Sequence, residues 1–216
     1  RMGPWWWLAI AHALFRTGAA VQSRMDAAGT SALGLNAADM LYTLATGIFA
    51  LALLSFIRNR SSGVITREGL LDGTVVLLCT GLLVWWLFVQ PTLEHAPSFP
   101  SPHRFRMLYP LGDLGLLALV TWLASAPETR SPSLKLLVLG LISWTAGDAI
   151  YHAMSFGAEP PAESLFVLWL LAYASWGAAA LHPSRHRLLA IRDPGRVDGT
   201  AGRLSLVALT MLAAPL

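Results

Sequence analysis

Charged and aromatic side chains occur inside the apolar runs of this 216-residue sequence, and they have the most capacity for chemistry. A charged group is costly in hydrocarbon, so each one indicates a binding site, a proton path or a structural pair. Asp148 and His152 are four residues apart, so they share one helix face. Ten residues fall toward the same, outer end of their predicted helices and form our candidate ligand-binding set: Arg16, Asp39, Tyr42, Tyr109, Asp113, Asp148, Tyr151, His152, Trp169 and Tyr173.

Two interpretations of this layer stay open. In the first, the aromatic residues form an interfacial belt and Arg16 is neutralised by an outer aspartate, with no ligand involved. In the second, the layer is an outward-open small-molecule pocket with aromatic walls and a few charged groups. Pro110 favours the pocket, because a proline inside a helix frees backbone groups that need partners. The expected polar core of the pocket is Asp113, Tyr109, Asp148, Arg16 and Asp39, with Trp85, Trp86, Trp144 and Trp176 at the same depth or just below it.

Motifs for catalysis or metal binding are not found in the sequence. It has no glycine-rich phosphate loop, no serine nucleophile elbow and no HExxH pair. The loop residues Glu94, His95 and His103 do not match the spacing of a standard metal site. We therefore expect no catalytic residue, no metal and no cofactor in this chain, which disfavours an intramembrane enzyme. Asp72, at the opposite end of its helix, is expected to be structural.

The elements that must position these residues are membrane helices. Hydrophobic residues make up 55% of the sequence and charged residues 12%, which is about half the charged share of a typical soluble domain. The apolar runs approach the roughly 20 residues needed to cross a bilayer. We predict an all-α, polytopic membrane bundle of about seven helices, at residues 4–21, 37–57, 69–89, 107–125, 134–152 and 164–181, with a truncated seventh from 204.

The distribution of basic residues predicts the orientation. Eleven of the 15 Lys and Arg residues lie at the N-terminus or in alternate loops, against Arg16, Arg24, Arg104 and Arg106 on the other side. Cytoplasmic loops carry such an excess. We therefore expect a multi-pass plasma-membrane protein whose N-terminus and 182–203 segment are cytoplasmic. The net charge of +3 and the pI near 9.5 then reflect topology, and no nucleic-acid partner is expected.

A weak internal repeat organises the predicted helices. A short motif recurs near the start of helices 2, 4 and 6, after an outer loop each time. Parallel repeats of this kind occur in several membrane folds. They indicate three tandem helical hairpins, and the repeated motifs are Met40-Leu41-Tyr42, Met107-Leu108-Tyr109 and Val167-Leu168-Trp169.

Five short motifs in order resemble the N-terminal multi-helix sensory region of actinobacterial-type cyclic-di-GMP signalling proteins. In that family the membrane region precedes a diguanylate cyclase (GGDEF) domain, often followed by a phosphodiesterase (EAL) domain. Asn36 and its neighbours depart from the family pattern, which has Pro-Ser before the Ala-Asp pair. The motifs, within a resemblance covering residues 4–216, are Ala38-Asp39-Met40-Leu41-Tyr42, Leu71-Asp72-Gly73, Tyr109-Pro110-Leu111-Gly112-Asp113, Gly147-Asp148-Ala149-Ile150-Tyr151 and Ala179-Ala180-Leu181-His182-Pro183-Ser184.

The resemblance implies a sensory or anchoring module, residues 1–216, that regulates a C-terminal cytoplasmic domain. We expect the chain to be a fragment that lacks this output domain. The expected partners are the lipid bilayer, a small-molecule signal on the outer side and, because cyclase outputs work in pairs, a second copy. The alternative is a small transporter or channel-like protein with an outward-facing cavity.

Overall fold

The computed structural model describes five ranges and scattered positions between 71 and 90; the ranges are 3–29, 36–60, 108–124, 131–155 and 165–189. Every element in these ranges is helical, so the prediction of an all-helical chain is confirmed for the described residues. Outside them lie most of predicted helix 3, the seventh helix, the 190–203 segment, Asp72, and the loop of Glu94, His95 and His103.

Five α-helices and one 3₁₀-helix lie in these five ranges. They are α1 (Gly3–Ala27), α2 (Ala37–Arg60), α3 (Leu108–Ala124), α4 (Pro132–Ser155), α5 (Phe166–Leu181) and the 3₁₀-helix Pro183–Leu189. They correspond to predicted helices 1, 2, 4, 5 and 6, whose ends were placed within three residues except at the end of α1. That helix continues past Val21 because polar residues also sustain helical hydrogen bonding, and Gln22 Nε2 donates to Asp26 Oδ1 at 2.8 Å.

Local capping chemistry determines where the helices begin and end. The amide of Asp39 donates to Asn36 Oδ1 at 2.9 Å, and the amide of Asn36 donates to Asp39 Oδ2 at 3.1 Å. This reciprocal pair is a capping box at the start of α2. Ser131 precedes α4 and accepts from the amide of Leu134 at 3.3 Å through its Oγ. Pro132 then occupies the first position of that helix, where its missing N–H is not needed.

The C-terminal end of α5 turns sharply. His182 has an extended backbone, and Pro183 follows, so the chain bends by 80° into the 3₁₀-helix. The guanidinium of Arg185 donates to the carbonyl of Ala180 at 2.9 Å, which satisfies an end carbonyl of α5. Ser184 accepts from the amide of Ser133 at 3.0 Å and joins this turn to the start of α4. The Ala-Ala-Leu-His-Pro-Ser motif therefore forms a helix stop and a contact between helices.

Packing defines the relative directions of the helices. α1 is antiparallel to α2, since the Trp5 and Phe56 rings lie 4.9 Å apart at one end while Gly18 approaches Tyr42 at the other. α4 and α5 form a second antiparallel pair, since Gly147 meets Trp169 at one end while Ser133 meets Ser184 at the other. α3 runs parallel to α2, and Gly112 fits against Thr46 so closely that an added Cβ would lie 2.9 Å from its methyl carbon.

Trp176 of α5 occupies the centre of the core. Its side chain is 1% exposed and its ring centroid lies 4.9 Å from those of both His12 and Phe49. The indole reaches α4 because Gly140 has no side chain: a Cβ there would lie 2.4 Å from Trp176 Nε1. Trp176 Nε1 donates to the carbonyl of Leu137 at 3.2 Å, so the buried N–H is satisfied.

The outer faces of the helices are apolar, as a lipid environment requires. Large exposed hydrophobic side chains lie along α2, α4 and α5, among them Leu44, Leu51, Ile142 and Leu170. Within the described residues, two helical segments are long and apolar enough to cross a membrane, Ala37–Asn59 and Pro132–Tyr151; α5 with the bent 3₁₀-helix makes a third if that pair is one span. The helices therefore indicate a membrane protein.

The two ends of the described helices differ in chemistry. Arg58 near the end of α2, Lys135 near the start of α4, and Arg185 and Arg187 beyond α5 lie at one end, which we call the basic end. The 3₁₀-helix packs against both α2 and α4 there. The acidic and aromatic candidate residues lie at the opposite end.

Candidate functional site

The structure brings nine of the ten candidate residues together at the end of the helices opposite the basic end. They come from α1, α2, α3, α4 and α5, and Trp144 joins them from α4, one turn before Asp148. The side chain of His152 lies outside the described part of the chain. The polar cluster, as we call this set, consists of Arg16, Asp39, Tyr42, Tyr109, Asp113, Trp144, Asp148, Tyr151, Trp169 and Tyr173.

Asp39 has its hydrogen-bonding capacity filled by structural partners. One carboxylate oxygen accepts from the Asn36 amide in the capping box, and the other accepts from the hydroxyl of Tyr109. Asn36 also donates from Nδ2 to Gln22 Oε1 at 3.4 Å, so α1 joins the same network. Asp39 and Tyr109 thus hold the starts of α2 and α3 together, and a ligand would have to break existing bonds to use them.

Tyr42 lies among the other members of the polar cluster. Its ring meets that of Tyr109 edge-on, with centroids 5.9 Å apart. Its hydroxyl also interacts electrostatically with Tyr173, Asp148 and Asp39. Since these residues come from four helices, any movement of one helix at this end changes the environment of the Tyr42 side chain.

Asp113 and Asp148 form a facing pair of carboxyl groups between α3 and α4. The two side chains are within hydrogen-bonding reach of each other, and Trp144 reaches both. Trp169 Nε1 donates to Asp148 Oδ1 at 2.8 Å. Gly147 makes this bond possible, because an added Cβ would lie 3.0 Å from Trp169 Nε1. Asp113 is 4% exposed, and its Oδ2 atom has no hydrogen-bond partner among the residues that the structure describes.

Arg16 does not pair with an aspartate, contrary to the first interpretation of the layer. Its guanidinium carbon lies 5.4 Å from the centroid of the Tyr173 ring, a cation–π contact, and the side chain is exposed. Within the described ranges it has no ion pair with a carboxylate. Arg16 lies on the face of α1 that is directed toward Tyr173 of α5, whereas the acids lie on α2, α3 and α4.

The expected helix interruption at Pro110 is also wrong. α3 begins at Leu108, so Pro110 lies in the first turn. Backbone amides there have no partner inside the helix, and a proline leaves no carbonyl unsatisfied. The polarity around Asp113 therefore comes from side chains of neighbouring helices and not from freed backbone groups.

His12 is a polar residue that the candidate set did not include. Its Nδ1 lies 3.1 Å from the carbonyl of Leu8, a contact in which the ring nitrogen is the donor. The ring packs edge-on against Tyr173 and Trp176, with centroids 5.4 and 4.9 Å apart. Nε2 is buried without a partner in the described residues. The position of His12 four residues before Arg16 was the available sequence signal, but its burial depends on α5.

Among the residues that the structure describes, the polar cluster offers aromatic rings and carboxyl groups and not a set of metal ligands. Among the described residues, no three His, Cys, Asp or Glu side chains are grouped to hold a metal ion. The polar cluster instead combines a carboxyl pair, of which Asp113 is buried, with indole donors and edge-on aromatic rings, which are common components of small-molecule sites. Comparison with known proteins finds no matching family model, no matching curated protein and no matching solved structure.

Proposed function

We propose that this chain is a membrane-embedded sensory or anchoring module whose polar cluster receives a small-molecule signal. In this proposal the full bundle has about seven helices in three tandem hairpins, spans the plasma membrane and regulates a C-terminal cytoplasmic domain of cyclic-di-GMP signalling. The motif resemblance supports that output, and the pairwise working of cyclase domains supports a homodimer.

The observation that carries the sensory role is the meeting of five helices at one polar cluster. A ligand between Asp113 and Asp148 would contact α3 and α4 directly and α5 through Trp169. A ligand shifts a conformational equilibrium only if it binds one packing arrangement better than another. Binding at a junction of several helices meets this requirement, because each arrangement of the helices presents a different set of contacts.

A transport path receives less support from the same residues. Below the polar cluster the core consists of closely packed apolar side chains, including Phe49, Leu53, Phe56, Leu116 and Leu137, each no more than 2% exposed. A continuous path for ions or protons needs polar groups through the membrane. Between the polar cluster and the basic end, the buried polar residues of the described ranges are serines, and the partly buried His12 adds a ring nitrogen without a partner there.

The orientation is testable by cysteine labelling in intact cells, in a Cys79→Ala background. Ala28 lies exposed just beyond α1 at the end of the polar cluster, and His186 lies exposed at the basic end. Because basic loops stay in the cytoplasm, we expect an impermeant maleimide to label an Ala28→Cys variant directly. A His186→Cys variant should be labelled only after the cells are permeabilised. The reverse pattern would place the basic end outside and contradict a cytoplasmic output.

The signalling output is testable in the native gene. We expect the coding sequence downstream of Leu216 to continue into a cyclase or phosphodiesterase domain. In cells carrying the full-length protein, Asp148→Asn should change the cyclic-di-GMP level, whereas Asp26→Asn at the exposed end of α1 should not. If no such domain follows, or if both variants leave the level at its wild-type value, the sensory proposal is wrong and transport or scaffolding becomes the better account.

A further inference from the structure

The Asp113–Asp148 pair has more hydrogen-bond acceptors than its neighbours have donors. Two carboxylates present four oxygen atoms, each able to accept. The N–H donors that reach them in the described structure are the indoles of Trp144 and Trp169, each with a single N–H group. Asp113 Oδ2 accordingly has no partner although it is buried. A buried acceptor without a donor is unfavourable, so this position is suited to an added hydrogen-bond donor.

The charges of the polar cluster show the same imbalance. It contains three carboxyl groups and one cation, Arg16, whose guanidinium lies over Tyr173. Arg16 has no ion pair in the part of the chain that the structure describes. His12 adds no donor toward the cluster, because its N–H is used by the carbonyl of Leu8. The carboxyl groups of the polar cluster therefore outnumber both its cations and its indole N–H groups.

Aromatic rings surround the carboxyl pair. Trp144 and Tyr173 meet edge-on with centroids 5.8 Å apart, and Trp169 packs against Tyr151 at 5.9 Å. The faces of such rings attract cations, and their area accommodates an apolar substituent. An acidic pair enclosed by indoles and phenols has the chemistry expected of a receptor for an organic ammonium ion.

We propose that the polar cluster binds an organic ammonium ion, with its N–H groups between Asp113 and Asp148 and its apolar substituent against Trp144, Trp169 and Tyr173. This inference rests on the proposed function and specifies the ligand class of that site. The competing way to fill the donor deficit is a proton shared by the two carboxyl groups, which needs no ligand. The two alternatives predict different binding behaviour for small amines.

Three probes of similar shape and different charge distinguish them: benzylammonium, benzyl alcohol and benzoate. With the 216-residue chain in detergent, we expect benzylammonium to quench tryptophan fluorescence saturably and to raise the thermal unfolding midpoint. Benzyl alcohol cannot make the buried charge contact, so its affinity should be lower than that of benzylammonium by about thirtyfold or more. Benzoate should not bind. Equal affinity for all three probes, or binding of none, would leave the shared proton as the explanation and overturn the proposal.

Isosteric variants locate the binding. Asp113→Asn and Asp148→Asn should each lower the affinity for benzylammonium by about thirtyfold. Asp26 is an aspartate outside the polar cluster, so the control variant Asp26→Asn should bind benzylammonium as the wild type does. Arg16→Gln should retain or strengthen binding, because it removes a like charge. Unchanged affinity in both cluster variants would refute the assigned position. If these two variants fail to fold, the probe series on the wild-type chain decides alone.

Failure of this inference is distinguishable from failure of the sensory proposal. If amines do not bind but Asp148→Asn changes cyclic-di-GMP in cells, the module is a sensor for a ligand of another class. If benzylammonium binds through Asp113 and Asp148 but no signalling output depends on them, the cation site is real and the signalling role is wrong.

Discussion

Replacing Trp176 with alanine should lower the stability of the protein by about 3–5 kcal/mol, as expected for truncating a large buried aromatic side chain. Trp176 is 1% exposed and packs between Phe49, His12 and Trp144. Its removal would leave a cavity where α1, α2, α4 and α5 meet. The measurement is the free energy of unfolding in detergent, from a denaturant titration followed by circular dichroism.

The matched control for this prediction is Trp6→Ala. Trp6 is 68% exposed on the outer face of α1, and exposed substitutions of this kind usually change stability by less than about 0.5 kcal/mol. A loss of similar size in both variants would mean that Trp176 is not at the centre of the core and that the described packing of α5 is incorrect.

Removing the Asp39 side chain should also have a large effect, because two separate interactions are lost. Asp39→Ala removes the capping box of α2, worth about 1 kcal/mol, and the bond from the Tyr109 hydroxyl to a carboxylate, worth about 1.5–3 kcal/mol. Tyr109→Phe removes only the second. We therefore expect Asp39→Ala to be the more destabilising variant in the same unfolding titration.

The double variant isolates the contact between α2 and α3. If Asp39 and Tyr109 interact as described, the free energy of unfolding lost in the Asp39→Ala, Tyr109→Phe variant should be smaller than the sum lost in the two single variants, by about 0.5–3 kcal/mol. Strict additivity would show that the two side chains are not coupled. The starts of α2 and α3 would then have to be held together by other contacts.

These energetic roles divide the candidate residues into two groups. Asp39 and Tyr109 have complete structural partners, so their substitution should affect folding before it affects recognition. Asp113, which faces Asp148, has a buried carboxyl oxygen without a partner in the described residues, and this leaves the pair available to a ligand. Substitutions at the second pair are therefore the more informative test of function, since stability and binding need not change together there.

Much of the local structure was predictable from the sequence because it depends on near neighbours. Runs of apolar residues predicted the described helices, and each helix end follows from residues within one turn of it. Asn36 and Asp39 cap α2, Ser131 and Pro132 begin α4, and Pro183 ends α5. The common depth of the acids and aromatics was also predictable, since depth follows from position along a helix of known direction.

The partners of these residues were decided only by the tertiary structure. Arg16 lies over Tyr173 and not beside an acid because of how α1 is rotated against α5. Tyr109 reaches Asp39 across 70 residues of sequence, and Asp113 meets Asp148 because α3 and α4 pack together. Gly140 and Gly147 allow two indoles to approach α4 closely enough to bond. Helix rotation and the distance of approach depend on side-chain volumes on several helices at once, and no local pattern in one helix specifies them.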